Sequence, residues 1–221
     1  MKKLFKIVKW GLIIFFASTI LAVFVYRFVP VEWTPLMTIR AMHPIGTEKQ
    51  QEAERHRQHE WVSYDDISPW MAKAVVASED GNFYTHHGFD FKQIQNAVAE
   101  SREGKRSRGA STITQQTAKN VFLWPAHSWV RKGLEAYFTV LIELMWPKER
   151  IMEVYLNSIE MGAGIYGVEA ASRHYFGCSA SQLTKSQAAL IAISLPNPLK
   201  RNPASPSSYM RKRQRRIMRY M

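Results

Sequence analysis

Residues 68–88 read Ser68-Pro69-Trp70-Met71-Ala72-Lys73-Ala74-Val75-Val76-Ala77-Ser78-Glu79-Asp80-Gly81-Asn82-Phe83-Tyr84-Thr85-His86-His87-Gly88. Ser68 before Pro69 is a helix N-cap followed by proline at the first helical position, where its missing N–H costs nothing. The apolar run 71–77 then predicts a helix that ends near Ser78. Two adjacent carboxylates, Glu79 and Asp80, close it, and an aromatic pair, two histidines and two glycines follow within nine residues. A carboxylate at the end of an apolar helix is partly desolvated, which favours its protonated form and raises its pKa. A glutamate so placed works as an acid or base near neutral pH. The plainer alternative is a helix end with two solvated histidines beyond it, and the rest of the chain decides between them.

Downstream, the pattern is helical nearly throughout. Asp90 caps a second helix through Phe91, Ile94 and Val98 that stops before Gly104. The segment Gly104-Lys105-Arg106-Ser107-Arg108-Gly109 is basic and bracketed by glycines, suited to phosphates or to plain solvation. Ser111 starts a helix over 112–122 that carries Thr114, Gln115, Gln116 and Lys119. Surface helices normally mix Glu and Lys; this one is built to hydrogen-bond something neutral and hydroxyl-rich, such as a sugar, with a cation alongside. Ser128 caps a helix over 129–145 with Arg131, Lys132 and Glu135 in its first two turns and Leu134, Phe138, Leu141 and Leu144 at core spacing. An i, i+4 salt bridge is the plain reading of Arg131 and Glu135. Helices over 148–157, 168–176 and 188–195 follow, with Gly162, Gly164 and Gly167 interrupting the pattern. Past a turn-rich loop, Ser205-Pro206 opens a terminal helix bearing Arg211, Lys212, Arg213, Arg215, Arg216 and Arg219. Such a helix end is solvated by default, or lies on anionic lipid. No stretch reads as a run of strands, so 59–221 predicts one mostly-α domain.

Upstream, Lys2, Lys3, Lys6 and Lys9 precede a continuous apolar run over 10–26, with Phe28 and Val29 just past Arg27. About 17 to 20 such residues cross a hydrocarbon core as a helix. The run is long for a signal peptide, stays bulky to its end, and has no small-x-small cleavage site before Pro30. It therefore predicts a retained transmembrane helix over 10–29, with the basic residues 1–9 cytoplasmic and the rest outside. Residues 30–58 lack clean periodicity and read as a juxtamembrane connector, with Trp33, Arg40 and His43 either at the bilayer surface or in a plain tether. Across 221 residues the net charge is +12, and the sequence pI is near 9.9. That balance calls for an anionic partner: nucleic acid, anionic lipid or a phosphorylated substrate. An exported domain argues against nucleic acid. The single cysteine, Cys178, excludes an internal disulfide and a multi-cysteine metal site.

The extended set Glu79-Asp80-x-x-Phe83-x-x-His86-x-Gly88-x-Asp90 resembles the first signature of the peptidoglycan glycosyltransferases, which include the glycosyltransferase domains of bifunctional penicillin-binding proteins. Gly109-Ala110-Ser111-Thr112-Ile113-Thr114-Gln115-Gln116-x-x-Lys119-Asn120 resembles the second, and Arg131-Lys132-x-x-Glu135 the third. Arg150-Ile151-x-x-x-Tyr155-Leu156-Asn157 resembles the fourth, and Arg173-x-Tyr175-Phe176-Gly177 the fifth. The five, in this order, span about residues 70 to 200. With Met221 leaving no room for a transpeptidase domain, the resemblance is to the monofunctional, membrane-anchored members found in Gram-negative bacteria.

That resemblance implies a lysozyme-like helical fold and polymerisation of lipid II, a disaccharide pentapeptide on undecaprenyl pyrophosphate, into glycan strands. It implies attack by the acceptor GlcNAc 4-hydroxyl on the donor MurNAc anomeric carbon, with inversion and loss of the lipid pyrophosphate. Carried over by position, Glu79 is the base, and Glu135 a second carboxylate that orients or stabilises the pyrophosphate region. A divalent cation (Mg or Mn) is compatible with that role, although no metal ligand set is assigned. Lys119, Arg131 and Lys132 would neutralise the diphosphate, while Ser111, Thr112, Gln115, Gln116 and Asn120 would bind sugars. Asp80, Phe83, His86 and Gly88 would hold the Glu79 loop, and Glu153, Asn157 and Glu160 would be structural supports. Related sequences often carry an arginine four residues before the third signature; here His127 stands there, so either His127 adds charge when protonated or Arg131 and Lys132 suffice. The implied partners are lipid II, the growing glycan, the bacterial inner membrane with its anionic lipid, and cell-wall synthesis or division proteins. A lysozyme-like or lytic transglycosylase-type glycan cleaver is the alternative enzyme, and a basic membrane-tethered scaffold the non-enzyme one. A cleaver needs neither the cation group nor the anchor, and a scaffold leaves the paired glutamates unexplained.

Overall fold

The computed structural model describes residues 1–103, 111–126 and 128–221, so the basic segment 104–109, Ala110 and His127 lie outside the described residues. The chain opens with α1 (Lys2–Tyr26), which is long and apolar enough to cross a membrane. Its foot is fastened to the rest of the molecule. The hydroxyls of Thr19 and Tyr137 lie 2.8 Å apart, Trp146 Nε1 donates to the Val23 carbonyl at 2.8 Å, and Arg150 donates to the carbonyls of Tyr26 and Val29 at 2.8 and 2.6 Å.

Two eight-residue helices follow, α2 (Pro35–Met42), capped by Thr34, and α3 (Glu48–Arg55), with a Thr47/Gln50 capping box. The stretch expected to be an aperiodic connector is thus half helical; eight residues make barely two turns, too few for a hydrophobic period to register. Leu36 and Met37 of α2 are buried with Tyr166 in a small apolar cluster of their own.

Next comes α4 (Pro69–Glu79), with the bounds the opening stretch predicts to within a residue. Ser68 sits at its N-cap, but its hydroxyl donates to the Leu183 carbonyl at 2.7 Å instead of closing the cap. Then follow α5 (Phe91–Arg102), α6 (Ile113–Phe122), α7 (Trp129–Met145), α8 (Lys148–Ser158), α9 (Val168–Phe176), α10 (Lys185–Ser194) and α11 (Ser208–Ile217). Asp90, Thr112, Ser128, Thr184 and Ser207 each accept a hydrogen bond from a first-turn N–H of the helix they precede. The fold is mostly α, as the sequence predicts.

The unanticipated element is a small sheet in the order β1 (Gln58–His59), β3 (Ile165–Tyr166), β2 (Glu160–Gly162). β1 pairs with β3 in parallel, Gln58 opposite Ile165 and His59 opposite Tyr166, and β2 pairs with β3 antiparallel. Strands of two or three residues show no alternation, so no sequence pattern marks them. At Gly164, with φ +69°, a Cβ would come within 2.1 Å of the Ala53 carbonyl oxygen, so only glycine lets this turn meet the end of α3.

Two packing units build the core. α10 lies against α4 and α11, and its residues 188–193 are buried on every side, which fits their all-apolar sequence. α6 lies between α7 and α8. Met71, Ala72, Ala74 and Val75 of α4 and Ile151, Met152, Val154, Tyr155 and Leu156 of α8 are among its buried members. Each large aliphatic side chain so buried contributes about 2 kcal/mol. The C-terminal end of α4 therefore meets α6 with little freedom to move.

Candidate active site

Glu79 is the last residue of α4 and is half-buried. Burial pushes its carboxyl above the usual carboxylate range, while hydrogen bonds from Gln116 and Ser78 and the charges of Arg213 and Arg201 partly offset the rise. Gln116 Nε2 donates to one carboxyl oxygen at 3.4 Å and Ser78 Oγ to the other at 3.1 Å. The fully buried Tyr155 donates its hydroxyl to Gln116 Oε1 at 3.2 Å, which turns the amide nitrogen toward Glu79.

The loop after Glu79 is stitched to the start of α6. Asp80, 4% exposed, receives His86 Nε2 at 2.9 Å and the backbone N–H of Ile113 at 3.0 Å. Gly88 N–H donates to His86 Nδ1 at 3.1 Å, and Thr112 Oγ1 donates to the Gly88 carbonyl at 2.7 Å. Gly88 adopts φ +88°, where a Cβ would meet Thr139 Cγ2 at 2.7 Å and Glu143 Cγ at 2.9 Å. Phe83 is fully buried, with the Lys148 ammonium 4.6 Å from its ring centre. Asn157 is buried too: its side chain exchanges hydrogen bonds of 3.0 and 2.9 Å with the backbone of Val62 and steadies the approach to α4.

A second carboxylate stands on α7. Glu135 of α7 is 3% exposed, and its oxygens are engaged by Arg131 Nη1 at 2.6 Å and by Lys132 Nζ. Lys132 leaves much of its side chain exposed; Arg131 is held further by the Ala126 carbonyl. Lys119 projects from α6, one turn after Gln116, and opens onto the same space. The surrounding walls nevertheless desolvate its ammonium and lower its pKa; Glu135 and Glu160 oppose that effect, and Arg131 and Lys132 add to it.

A cleft of about 410 Å³ gathers these groups: Ser111, Gln116, Lys119, Asn120, Arg131, Lys132 and Glu135 line it. Thr112 and Gln115 do not. Their side chains form the capping box of α6, the Thr112 N–H donating to Gln115 Oε1 at 3.0 Å. A roomier cavity of about 550 Å³ is lined by Tyr64, Lys73, Tyr84 and Tyr220 among others, and by none of the candidate residues. Convergent charge rather than volume marks the smaller one as the site.

The cleft does not fit a resident divalent ion. Both Glu135 oxygens face cations, and among the described residues no three His, Cys, Asp or Glu side chains gather. Sequence reasoning also missed parts of this region. Leu36 and Arg40 of α2 and Glu160 of β2 line the cleft, and Arg201 and Arg213 act on Glu79 from the C-terminal region. No local pattern distinguishes those arginines from solvated ones. Tyr155 alone carried a signal, its place in the fourth signature.

The transglycosylase family model matches residues 46–221 of this chain. A biosynthetic peptidoglycan transglycosylase of Bacteroides thetaiotaomicron is 57% identical over 220 residues, covering 100% of this chain and 87% of the relative. Namesakes from Bdellovibrio bacteriovorus and Caulobacter vibrioides are 54% identical over 213 residues and 51% over 201, covering 95% and 91% of this chain and 84% and 83% of each relative. The matched span takes in the Glu79 helix end, the α6 cap and the Arg131–Lys132–Glu135 clasp, and the chain belongs to the transglycosylase family.

Proposed function

We propose that this chain, a peptidoglycan glycosyltransferase of cell-wall synthesis, polymerises lipid II with Glu79 as general base. Glu79 takes the proton of the acceptor GlcNAc 4-hydroxyl as that oxygen attacks the donor anomeric carbon from the face opposite the leaving group. The bond from that carbon to the pyrophosphate oxygen breaks, its electron pair stays with the lipid pyrophosphate, and the configuration inverts. Lys119, Arg131 and Lys132 meet the charge that develops on the leaving group. Glu135 holds Arg131 and Lys132 in place, and Ser111, Gln116 and Asn120 are the polar side chains nearest to bound sugar.

One observation carries the reading: Gln116 touches Glu79 and also lines the cleft of Lys119 and the α7 cations, so base and cation cluster sit one helical turn apart. A raised base pKa gives an acid limb: activity rises as Glu79 loses its proton, at a pH above the ordinary carboxylate range. A glycan cleaver needs no such cluster. The positive N-terminus would lie in the cytoplasm and the catalytic domain in the periplasm. The helix packed on α1, α7, exposes Trp129, Val130, Val140 and Leu144, an apolar stripe suited to the membrane that delivers a lipid-linked substrate.

Full-length protein in detergent with labelled lipid II should yield long glycan chains, and Glu79→Gln should abolish them. Wild-type polymerisation by Glu79→Gln would remove Glu79 as the base. Shortening of preformed glycan would give the cleaver reading the field.

A further inference from the structure

Four buried side chains from the membrane-proximal helices and the small sheet converge behind the cleft, and the reaction as described uses none of them. Arg40 of α2 lies with its Nε 3.3 Å from Glu160 Oε1 of β2, the two side chains 16% and 11% exposed. Glu54 of α3 is 1% exposed; one carboxyl oxygen accepts from the Ile45 N–H at 2.8 Å, and the other has no hydrogen-bond partner among the described residues. Among those residues the Tyr166 hydroxyl of β3, on a residue 1% exposed, has no hydrogen-bond partner either. A guanidinium set among two buried carboxylates and a phenol is the group whose charge makes the cluster tolerable. Arg40 and Glu160 also line the cleft that Lys119 enters.

We propose that Arg40 is a positioning residue for the transfer reaction: from the membrane-proximal helix it holds the Glu160 carboxylate in the wall of the cleft that Lys119 enters, so that Lys119 stands in place to meet the pyrophosphate. The inference rests on Lys119 as the pyrophosphate-neutralising group. The groups facing Glu160 are Arg40, Glu54, Tyr166 and Lys119; those facing Lys119 are Glu160, Glu135, Arg131 and Lys132. Burial raises the Glu160 pKa, Arg40 lowers it and Glu54 raises it. Without Arg40, Glu160 is no longer held in the wall of the cleft and keeps its proton to higher pH, and Lys119 loses a carboxylate that favours its charged form. Lys119 then deprotonates at lower pH, and the alkaline limb of activity moves down. Because α2 lies just beyond the anchor, the pose of the domain at the membrane would feed into the charge of the cleft.

The test is the pH dependence of kcat/KM for labelled lipid II with the full-length chain in detergent micelles. Arg40→Gln and Glu160→Gln should each move the alkaline limb to lower pH. The double variant should move it no further than Glu160→Gln alone, and Arg40→Lys should restore part of the shift. An alkaline limb that stays at the wild-type pH in both single variants overturns the proposal, as does full additivity. Where thermal unfolding shows that Arg40→Gln is destabilised, Glu160→Gln, which removes a buried charge, decides alone by the presence or absence of the shift. Lys119→Met separates the two levels: unchanged kinetics there would sink the Lys119 reading itself. A disabled Lys119→Met beside an unshifted Arg40→Gln would sink only the role of Arg40.

Discussion

Glu79 ends α4 with a serine hydroxyl and an amide for partners, whereas Glu135, two turns into α7, is clasped by an arginine and a lysine. Both are shielded carboxylates on the same small domain, yet their surroundings assign opposite work. Desolvation with no touching cation among the described residues leaves Glu79 with a raised affinity for protons, the property a base needs. Two touching cations leave Glu135 as the anchor for Arg131 and Lys132. Two glutamates with different surroundings can thus divide acid–base work from electrostatic work.

The sharpest way to break this contrast is Glu79→Gln. Loss of a general base costs about 10²- to 10⁴-fold, so polymerisation should fall to that extent in a gel assay of labelled glycan. The same variant should not be destabilised. A carboxyl with a raised folded pKa contributes stability below its unfolded pKa and loses that contribution as pH rises through the folded value. Glutamine carries no such loss, so Glu79→Gln should melt at or above the wild-type temperature at pH 8 and lose this advantage in acid. A lower melting temperature at pH 8 would mean that Glu79 is an ionised structural group.

Among the cations of the cleft, Lys119→Met should reduce kcat/KM about 10²-fold, and the loss should persist at every pH across the acid limb. Glu135→Gln should do less to the rate, about tenfold, but should cost roughly 2 kcal/mol in urea unfolding, because it leaves Arg131 and Lys132 crowded without their carboxylate. If Glu135→Gln were as dead as Glu79→Gln yet fully stable, Glu135 would belong to the chemistry and the contrast would fail.

Two smaller effects sharpen the Glu79 side. Gln116→Leu removes a hydrogen bond that lowers the Glu79 pKa, so the acid limb of the pH–rate profile should move up. Arg213→Gln removes only a charge felt through space and should move the same limb up by a smaller amount. A shift toward lower pH in either variant would contradict the account of Glu79.

Much of this was legible before any coordinates, where the information was local. α7 and α9 start and stop where Ser128 and the glycines about 167 and 177 place them, and α4 ends on Glu79, one residue beyond the Ser78 that its apolar run predicts. The helix that could cross a membrane is legible from the length of one apolar run. Two features escaped. α2 and α3 are too short to show a period, and β1–β3 too short to alternate. Thr112 and Gln115 read as sugar-binding groups because helix-capping and ligand-binding side chains are the same residue types; the coordinates put them in the cap of α6.

The sequence by itself determined, to within a few residues, where the longer helices begin and end, that one could span a membrane, and which side chains carry charge. Those properties depend on neighbours within a few residues. Tertiary structure alone decided that Tyr155 aims Gln116 at Glu79, and that Arg40 reaches Glu160 from 120 positions away. It also decided that two of the many C-terminal arginines act on Glu79. These are electrostatic and hydrogen-bonding relations between distant segments. Their strength depends on burial and distance, which exist only once the helices have packed.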